Sequence, residues 1–130
     1  MTAYEYVIIG FGKAGKTFAS FLASRGIKTA LIEKSKERYG GTCINVACIP
    51  SKSLEYSARL SHGRAGSWEE KEKRYAEAVE EKNRLTAMLR GKNYDKLVQA
   101  GVTVYDGTAS FVNDHEILIS SDEKEEDRKS

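Results

Sequence analysis

Short apolar runs and segments of helical periodicity alternate in the first third of the chain. Residues 4–9 form an apolar, β-branched run that stops at Gly10, and this pattern predicts a buried parallel strand. Small and apolar residues then recur at helical spacing over residues 14–24, and Gly26 is placed to end that helix. A second strand is expected over residues 29–32. The order strand, turn, helix, strand predicts a βαβ unit.

The middle of the chain is predicted to be mainly helical. Residues 35–41 are polar and glycine-bearing and predict a loop. Residues 43–60 favour a helix around Cys48, which Pro50 should distort near its start. Residues 68–90 predict a long charged helix with a narrow apolar stripe, and residues 95–100 predict a separate short helix that ends at Gly101.

The last third of the chain changes to strand patterns. Residues 102–105 predict a strand, and residues 108–112 and 116–120 alternate as expected for a hairpin about Asn113-Asp114. Residues 121–130 contain no apolar side chain, so a charged and disordered tail is expected there. The sequence therefore predicts one α/β domain over residues 1–120.

Composition excludes several classes of function. The 130 residues carry a net charge of +2 with 31% charged side chains, which indicates a mixed solvated surface and no nucleic-acid partner. The N-terminal apolar run is too short for a signal peptide or a membrane span, so a cytoplasmic protein without a membrane partner is expected. In a reducing compartment, a bridge between the two cysteines would be catalytic or redox-sensing.

The glycine turn that follows the first strand fits two motifs. Gly10, Gly12 and Gly15 match G-x-G-x-x-G, in which a tight turn lets the backbone approach a dinucleotide pyrophosphate at a helix N-terminus. The same segment, extended to Lys16-Thr17, matches the phosphate loop of nucleotide hydrolases, in which the lysine reaches phosphates and the threonine holds Mg²⁺.

The surroundings of the turn favour the dinucleotide interpretation without excluding the other. Glu33 ends the second strand at the distance where an acidic residue binds a ribose hydroxyl. A phosphate loop instead needs a later strand that ends in a metal-holding aspartate, and Asp106 is a poor candidate for that role. A glycine turn without any ligand is the third possibility.

Cys43 and Cys48 lie five positions apart in the segment GGTCINVACIPSK. In a regular helix this spacing separates the Cα atoms by about 8–9 Å, whereas a disulfide needs less than about 7 Å. A bridge between them therefore requires an irregular backbone, and a helix N-terminus and the nearby Lys52 would favour a thiolate. Two ordinary reduced cysteines are the alternative, and a metal site is not expected because the spacing is not that of zinc ligands.

Three ordered motifs, VIIGFGKAG, ALIEK and GGTCINVACIPSKSL, resemble the N-terminal region of the class I pyridine nucleotide-disulfide oxidoreductases. That family includes dihydrolipoamide dehydrogenase, glutathione reductase and mercuric reductase. The segments EKNRLTAMLRGKNYDKL and VTVYDGTASFVNDHEI are most similar to the bacterial reactive-chlorine-resistance branch, whose flavoproteins are implicated in reducing Cu(II). The resemblance implies a Rossmann-like FAD-binding domain with a parallel sheet, incomplete relative to the family, and a small β-hairpin.

The resemblance also implies roles for individual residues. Cys43 would be the thiol that meets the substrate, and Cys48 the thiol against the flavin, the two forming a redox-active disulfide. Lys52 would lie near the flavin ring. The other positions implied to contact FAD are Gly10, Gly12, Gly15, Glu33, Lys34, Gly41, Thr42, Cys43 and Ala109.

The implied reaction passes electrons from NAD(P)H through FAD to the Cys43–Cys48 pair, and then to a small-molecule disulfide or a metal ion. The family's NAD(P)H-binding and dimerisation domains have no counterpart in these 130 residues, so a fragment without turnover of its own is expected. The intact relative should be a homodimer. A phosphate-loop hydrolase using residues 10–17 and a non-catalytic FAD- or nucleotide-binding module remain the alternatives.

Overall fold

The computed structural model describes residues 1–121, so the charged tail expected over 121–130 lies outside the described residues from position 122 onward. The described chain begins with a strand, a helix and a second strand, continues with three helices and ends with three strands. A 3₁₀ turn at Lys36–Arg38 lies inside the predicted loop. The strands are β1 (Tyr6–Ile9), β2 (Thr29–Glu33), β3 (Thr103–Asp106), β4 (Thr108–Asn113) and β5 (Glu116–Ser120). The helices are α1 (Lys13–Ser24), α2 (Thr42–Asn45), α3 (Cys48–Ser61) and α4 (Trp68–Ala100).

The strands form two sheets. β1, β2 and β3 lie side by side in that order and pair in parallel, while β4 and β5 form an antiparallel hairpin. This arrangement confirms the predicted α/β class, the βαβ unit and the hairpin. Because parallel strands end at the same edge, the register that aligns Ile9 with Ile32 and Glu33 with Asp106 brings the three strand ends together.

The strand β1 differs from its prediction. It pairs in parallel as expected, but Tyr6, Val7 and Ile9 are 48%, 37% and 50% exposed. β1 lies at the edge of the sheet, so only one of its long sides is paired, whereas the central β2 is buried over Thr29–Ile32. An apolar run therefore predicted the strand correctly but not its burial.

The hydrophobic core lies between the sheet and the helices α1 and α4. Phe11, Ala19 and Leu31 have no exposed surface, and Leu97 and Val102 are nearly as buried. Leu31 comes from the central strand, and Ala19 and Leu97 come from the two helices, so the three elements share one core. This core also includes Phe11 and Tyr39, which lie after β1 and β2, so its packing holds the loops at the carboxyl ends of these strands.

The helix α4 also differs from its prediction. Two helices are expected over residues 68–90 and 95–100, yet one helix of 33 residues runs from Trp68 to Ala100 and ends at the left-handed Gly101. Gly91 lies inside it with open space around its Cα, and glycine in a helix costs only about 1 kcal/mol. Beyond Gly91, Leu97 is buried in the core, and this packing offsets the cost.

Among residues 1–121, none of the helices combines the length with the apolar character that a membrane crossing requires.

Candidate functional site

The glycine turn joins β1 to α1 and presents bare backbone. Gly10 has a φ of 105°, a conformation that side-chain-bearing residues rarely adopt. A Cβ on Gly15 would clash with the carbonyl oxygen of Gly10, so only glycine lets α1 approach the turn this closely. Gly12 is the N-cap of α1, with no side-chain cap and no acidic residue in the first turn. The N-terminus of α1 therefore lacks the side-chain partners that usually neutralise such an end.

A second glycine segment lies directly against this turn. Gly41 has a φ of 85°, and a Cβ there would lie 2.6 Å from Cα of Gly12. The two backbones thus touch, although 29 positions separate them in the sequence. Gly41 is also the N-cap of α2, which begins with Thr42 and Cys43. The contact therefore places the cysteine segment beside the N-terminus of α1.

Glu33 connects the glycine turn to the loop that follows β2. One of its carboxylate oxygens accepts a hydrogen bond from the N–H of Phe11 at 2.9 Å, and the other accepts from the N–H of Ser35 at 3.2 Å. The carbonyl of Glu33 accepts from the N–H of Gly107 at 2.9 Å. Glu33 thus lies at the carboxyl edge of the sheet, where a ligand of the turn would meet it.

The backbone between the two cysteines is irregular, as a disulfide between them would require. α2 ends at Asn45, Val46 and Ala47 depart from helical geometry, and α3 begins at Cys48. Pro50 lies in the first turn of α3, where its missing N–H costs no helical hydrogen bond. Both cysteines are free thiols in this structure, and their side chains lie close enough to influence each other. The predicted pair therefore lies together in its reduced form.

The electrostatics of Cys43 differ from the expectation. The hydrogen bond with Cys48, followed by partial burial, raises the pKa of Cys43 above its ordinary value, while the positive charges of Lys13 and Lys16 lower it. Proximity to Cys48 therefore makes Cys43 harder to deprotonate. The two lysines that lower the pKa of Cys43, Lys13 and Lys16, belong to α1. The sequence instead suggests Lys52 as the residue that favours the thiolate.

Four further residues that the family resemblance implies, Lys34, Thr42, Lys52 and Ala109, lie at the following positions. Lys34 and Thr42 are exposed, and each adjoins one of its members, Glu33 and Cys43. Lys52 is exposed on α3, one turn after Cys48. Ala109 lies in β4, two residues after Gly107. Their contacts with a cofactor stay predictions.

Sequence reasoning missed a group of residues that hold the cysteine segment in place. Tyr39 stacks between Phe11 and Tyr94, and its hydroxyl donates to Asp106. Asn45 bonds to both its own loop and α4. No local motif marks such contacts, because the partners come from distant positions of the chain.

The arrangement as a whole fits a dinucleotide with a redox group. The paired glycine segments leave room for a diphosphate at the N-terminus of α1, where Lys13 and Lys16 add positive charge. The thiol pair lies beside the same helix end, because Gly41 touches Gly12. Within residues 1–121 there is no group of three or more His, Cys, Asp or Glu side chains placed to hold a metal ion.

Comparisons with known proteins give a consistent result. The family model described as pyridine nucleotide-disulphide oxidoreductase matches residues 4–129. The probable pyridine nucleotide-disulfide oxidoreductase RclA of Escherichia coli strain K12 is 42% identical over 120 residues, which are 92% of this chain and 25% of RclA. Dihydrolipoyl dehydrogenase of Haloferax volcanii is 37% identical over 126 residues, covering 92% of this chain and 26% of that protein.

A solved structure shows the same likeness in three dimensions. The Cu(II) complex of the HOCl-induced flavoprotein disulfide reductase RclA from Escherichia coli superposes with a TM-score of 0.81 at 41% identity. The match covers 95% of this chain and 26% of that one. The chain therefore spans about a quarter of the length of these relatives, and the phosphate-loop alternative has no support among them. By sequence and by fold, the chain belongs to the pyridine nucleotide-disulphide oxidoreductase family.

Proposed function

We propose that this chain provides the FAD-binding and dithiol part of a disulfide reductase in which Cys43 and Cys48 alternate between disulfide and dithiol. The observation that carries the proposal is the contact of Gly41 with Gly12, because it brings the thiol pair to the N-terminus of α1. Gly10, Gly12 and Gly15 would bind the diphosphate of FAD, and Glu33 would bind its ribose. Gly41, Thr42, Lys34 and Ala109 would line the path of the cofactor.

Bound FAD would supply two-electron transfer from NAD(P)H to the disulfide. The chain's own residues then perform the exchange. Cys43 loses its proton and attacks one sulfur of a disulfide substrate, which releases the first substrate thiolate and leaves a mixed disulfide on Cys43. Cys48 attacks the sulfur of Cys43, releases the second thiolate and restores the Cys43–Cys48 bond. Lys13 and Lys16 favour the first step, because their charges lower the pKa of Cys43.

Two classes of electron acceptor are proposed, and the names of the relatives support both. A disulfide fits the exchange chemistry directly. A metal ion is the second candidate, since the RclA structure is described as a Cu(II) complex. In that case the dithiol would reduce two Cu(II) ions to Cu(I), release two protons and form the disulfide. We expect the whole protein to act in the cytoplasm as a homodimer, as the family resemblance implies.

FAD binding can be tested with Gly12→Val. A Cβ on Gly12 meets nothing within 4 Å and its φ of −84° suits any residue, so the variant should fold while its side chain fills the space above the turn. Titration of the chain with FAD, followed by flavin fluorescence, should show a Kd raised at least about tenfold, the effect of losing about 1.4 kcal/mol. Gly91→Ala, on the exposed part of α4, should bind FAD like the parent. Equal binding by Gly12→Val and the parent would refute the glycine cradle.

The role of the thiol pair requires a separate experiment. The oxidised, FAD-loaded chain should take up twice as many electrons from dithionite as its Cys48→Ser variant, because the flavin and the disulfide each accept two. Absorbance of the flavin follows the titration. If both proteins take up the same number of electrons, the cysteines are not a redox couple.

A further inference from the structure

Asn45 is the last residue of α2, two positions after Cys43, and both ends of its side-chain amide are engaged. The amide nitrogen donates to the carbonyl oxygens of Tyr39 and Gly41, both at 2.9 Å. Its oxygen accepts from Nη1 of Arg90 in α4 at 3.1 Å. We propose that Asn45, held by Arg90, is a positioning residue that keeps Cys43 within bonding reach of Cys48 and so sets the equilibrium between dithiol and disulfide.

The segment around Cys43 needs such a support. α2 has only four residues, far below the length at which a helix is stable by itself. It follows Gly40 and Gly41, which both have positive φ and little conformational preference of their own. The two carbonyls that Asn45 binds belong to this entry segment. The backbone N–H of Asn45 also donates to the Gly41 carbonyl, at 3.2 Å. The side chain of Asn45 therefore reinforces this turn and extends it to Tyr39 and to α4.

Arg90 attaches this closed turn to a rigid element. It projects from a helix of 33 residues that contributes Leu97 to the core. One turn further along α4, Tyr94 stacks on Tyr39 with ring centroids 5.4 Å apart. Of the three partners of the Asn45 side chain, Arg90 thus belongs to α4, and Tyr39 packs against α4. The position of Cys43 follows that of α4 through these contacts.

The consequence for the thiols is chemical as well as structural. Disulfide formation requires Cβ atoms within about 3.5–4.5 Å, and the free energy of closing the bond depends on how well that geometry is already present. The side chains of Cys43 and Cys48 are close enough in the reduced form for each to affect the ionisation of the other. A looser α2 would separate them more often, which lowers the effective concentration of one thiol at the other. This inference rests on the proposed redox role of the pair.

The test is an equilibration of the full chain with glutathione. The dithiol passes two electrons and two protons to oxidised glutathione, which becomes two molecules of reduced glutathione, while the Cys43–Cys48 bond forms. Alkylation and mass measurement give the equilibrium constant. Asn45→Ala should lower this constant about tenfold, as expected when a partly buried hydrogen-bond network loses a member. Asn83→Ala, which removes an exposed asparagine of α4, should leave it unchanged.

Two further variants separate positioning from folding. Arg90→Gln keeps a hydrogen-bond donor on α4 but shortens its reach, so it should lower the equilibrium constant less than Asn45→Ala does. If Asn45→Ala does not fold, Arg90→Gln tests the positioning role instead. Asn45→Asp keeps the oxygen facing Arg90 but turns an acceptor toward two carbonyls, and it should not rescue the constant. A lower melting temperature with an unchanged constant in both Asn45→Ala and Arg90→Gln would overturn the inference. Failure of the parent chain to form the disulfide would overturn the redox role and this inference together.

Discussion

Tyr39 shows how one side chain stabilises the loop beneath the candidate site. Its ring is 7% exposed and lies between Phe11 and Tyr94, with centroids 4.9 and 5.4 Å away. Its hydroxyl donates to Asp106, which also approaches Lys36 at 3.8 Å. Burial, followed by this hydrogen bond, raises the pKa of Tyr39 above its ordinary value of 10.0. The protonated hydroxyl is therefore part of the folded structure.

This pKa shift predicts a loss of stability in alkaline solution. The folded state holds the Tyr39 proton more tightly than the unfolded state, so the contribution is complete below about pH 10 and falls as the pH rises above it. Tyr39→Phe keeps the ring stack but lacks the hydroxyl, and it should lower the free energy of unfolding by about 1–2 kcal/mol at about pH 7. Urea unfolding at about pH 7 and about pH 10.5 should show a smaller difference between parent and variant at the higher pH. A constant difference would contradict the assigned hydrogen bond.

At the scale of elements, two glycines with opposite surroundings give opposite predictions. Gly91 lies inside α4, and a methyl group on its Cα would meet nothing within 4 Å, so Gly91→Ala should raise the free energy of unfolding by about 1 kcal/mol. Gly41 has a φ of 85° and touches Gly12, so Gly41→Ala should lower it by about 2 kcal/mol through strain. Urea unfolding measures both. Stabilisation by Gly41→Ala would contradict the close contact of Gly41 with Gly12. Destabilisation by Gly91→Ala would contradict the open space around Gly91.

At the scale of the whole molecule, the helices α1 and α4 pack on one face of the parallel sheet, and the opposite face is turned toward the hairpin. A cleft of about 650 Å³ lies there between the sheet and the hairpin, and Val7, Ile32, Tyr105, Phe111 and Leu118 are among its lining residues. Phe111 is 76% exposed. Polar residues also line the cleft, Glu5, Asp114 and Glu116 among them. A concave surface that combines apolar and polar side chains is a candidate binding or contact face.

This cleft predicts that the folded chain binds an apolar fluorescent dye. Phe111→Ser should weaken the dye fluorescence at little cost in stability, because the side chain is already mostly in water. Met88→Gln, which changes a 40% exposed residue on α4 outside the cleft, serves as the matched control and should leave the signal unaltered. If the control lowers the fluorescence as much as Phe111→Ser, the dye does not report on this cleft.

Local patterns were sufficient for much of the fold and for the positions of the candidate site. The turn at Gly10, the helix end at Gly26 and the hairpin about Asn113-Asp114 depend on backbone preferences that act over a few residues. A disulfide between Cys43 and Cys48 would need a break in the helix, and the structure has such a break. Such features could be predicted because their causes lie next to them in the sequence.

Tertiary structure decided what distant residues do to one another. Because Leu97 packs in the core, α4 continues past Gly91. Because β1 lies at the edge of the sheet, it is partly exposed although its apolar pattern predicts burial. The bond between Arg90 and Asn45 spans 45 positions. The sequence by itself determined which segments form turns and helices and where the thiols lie along the chain, because these features depend on neighbouring residues. Only the folded chain determined which charges and hydrogen bonds surround the thiols, because those partners become neighbours through the burial of a shared core.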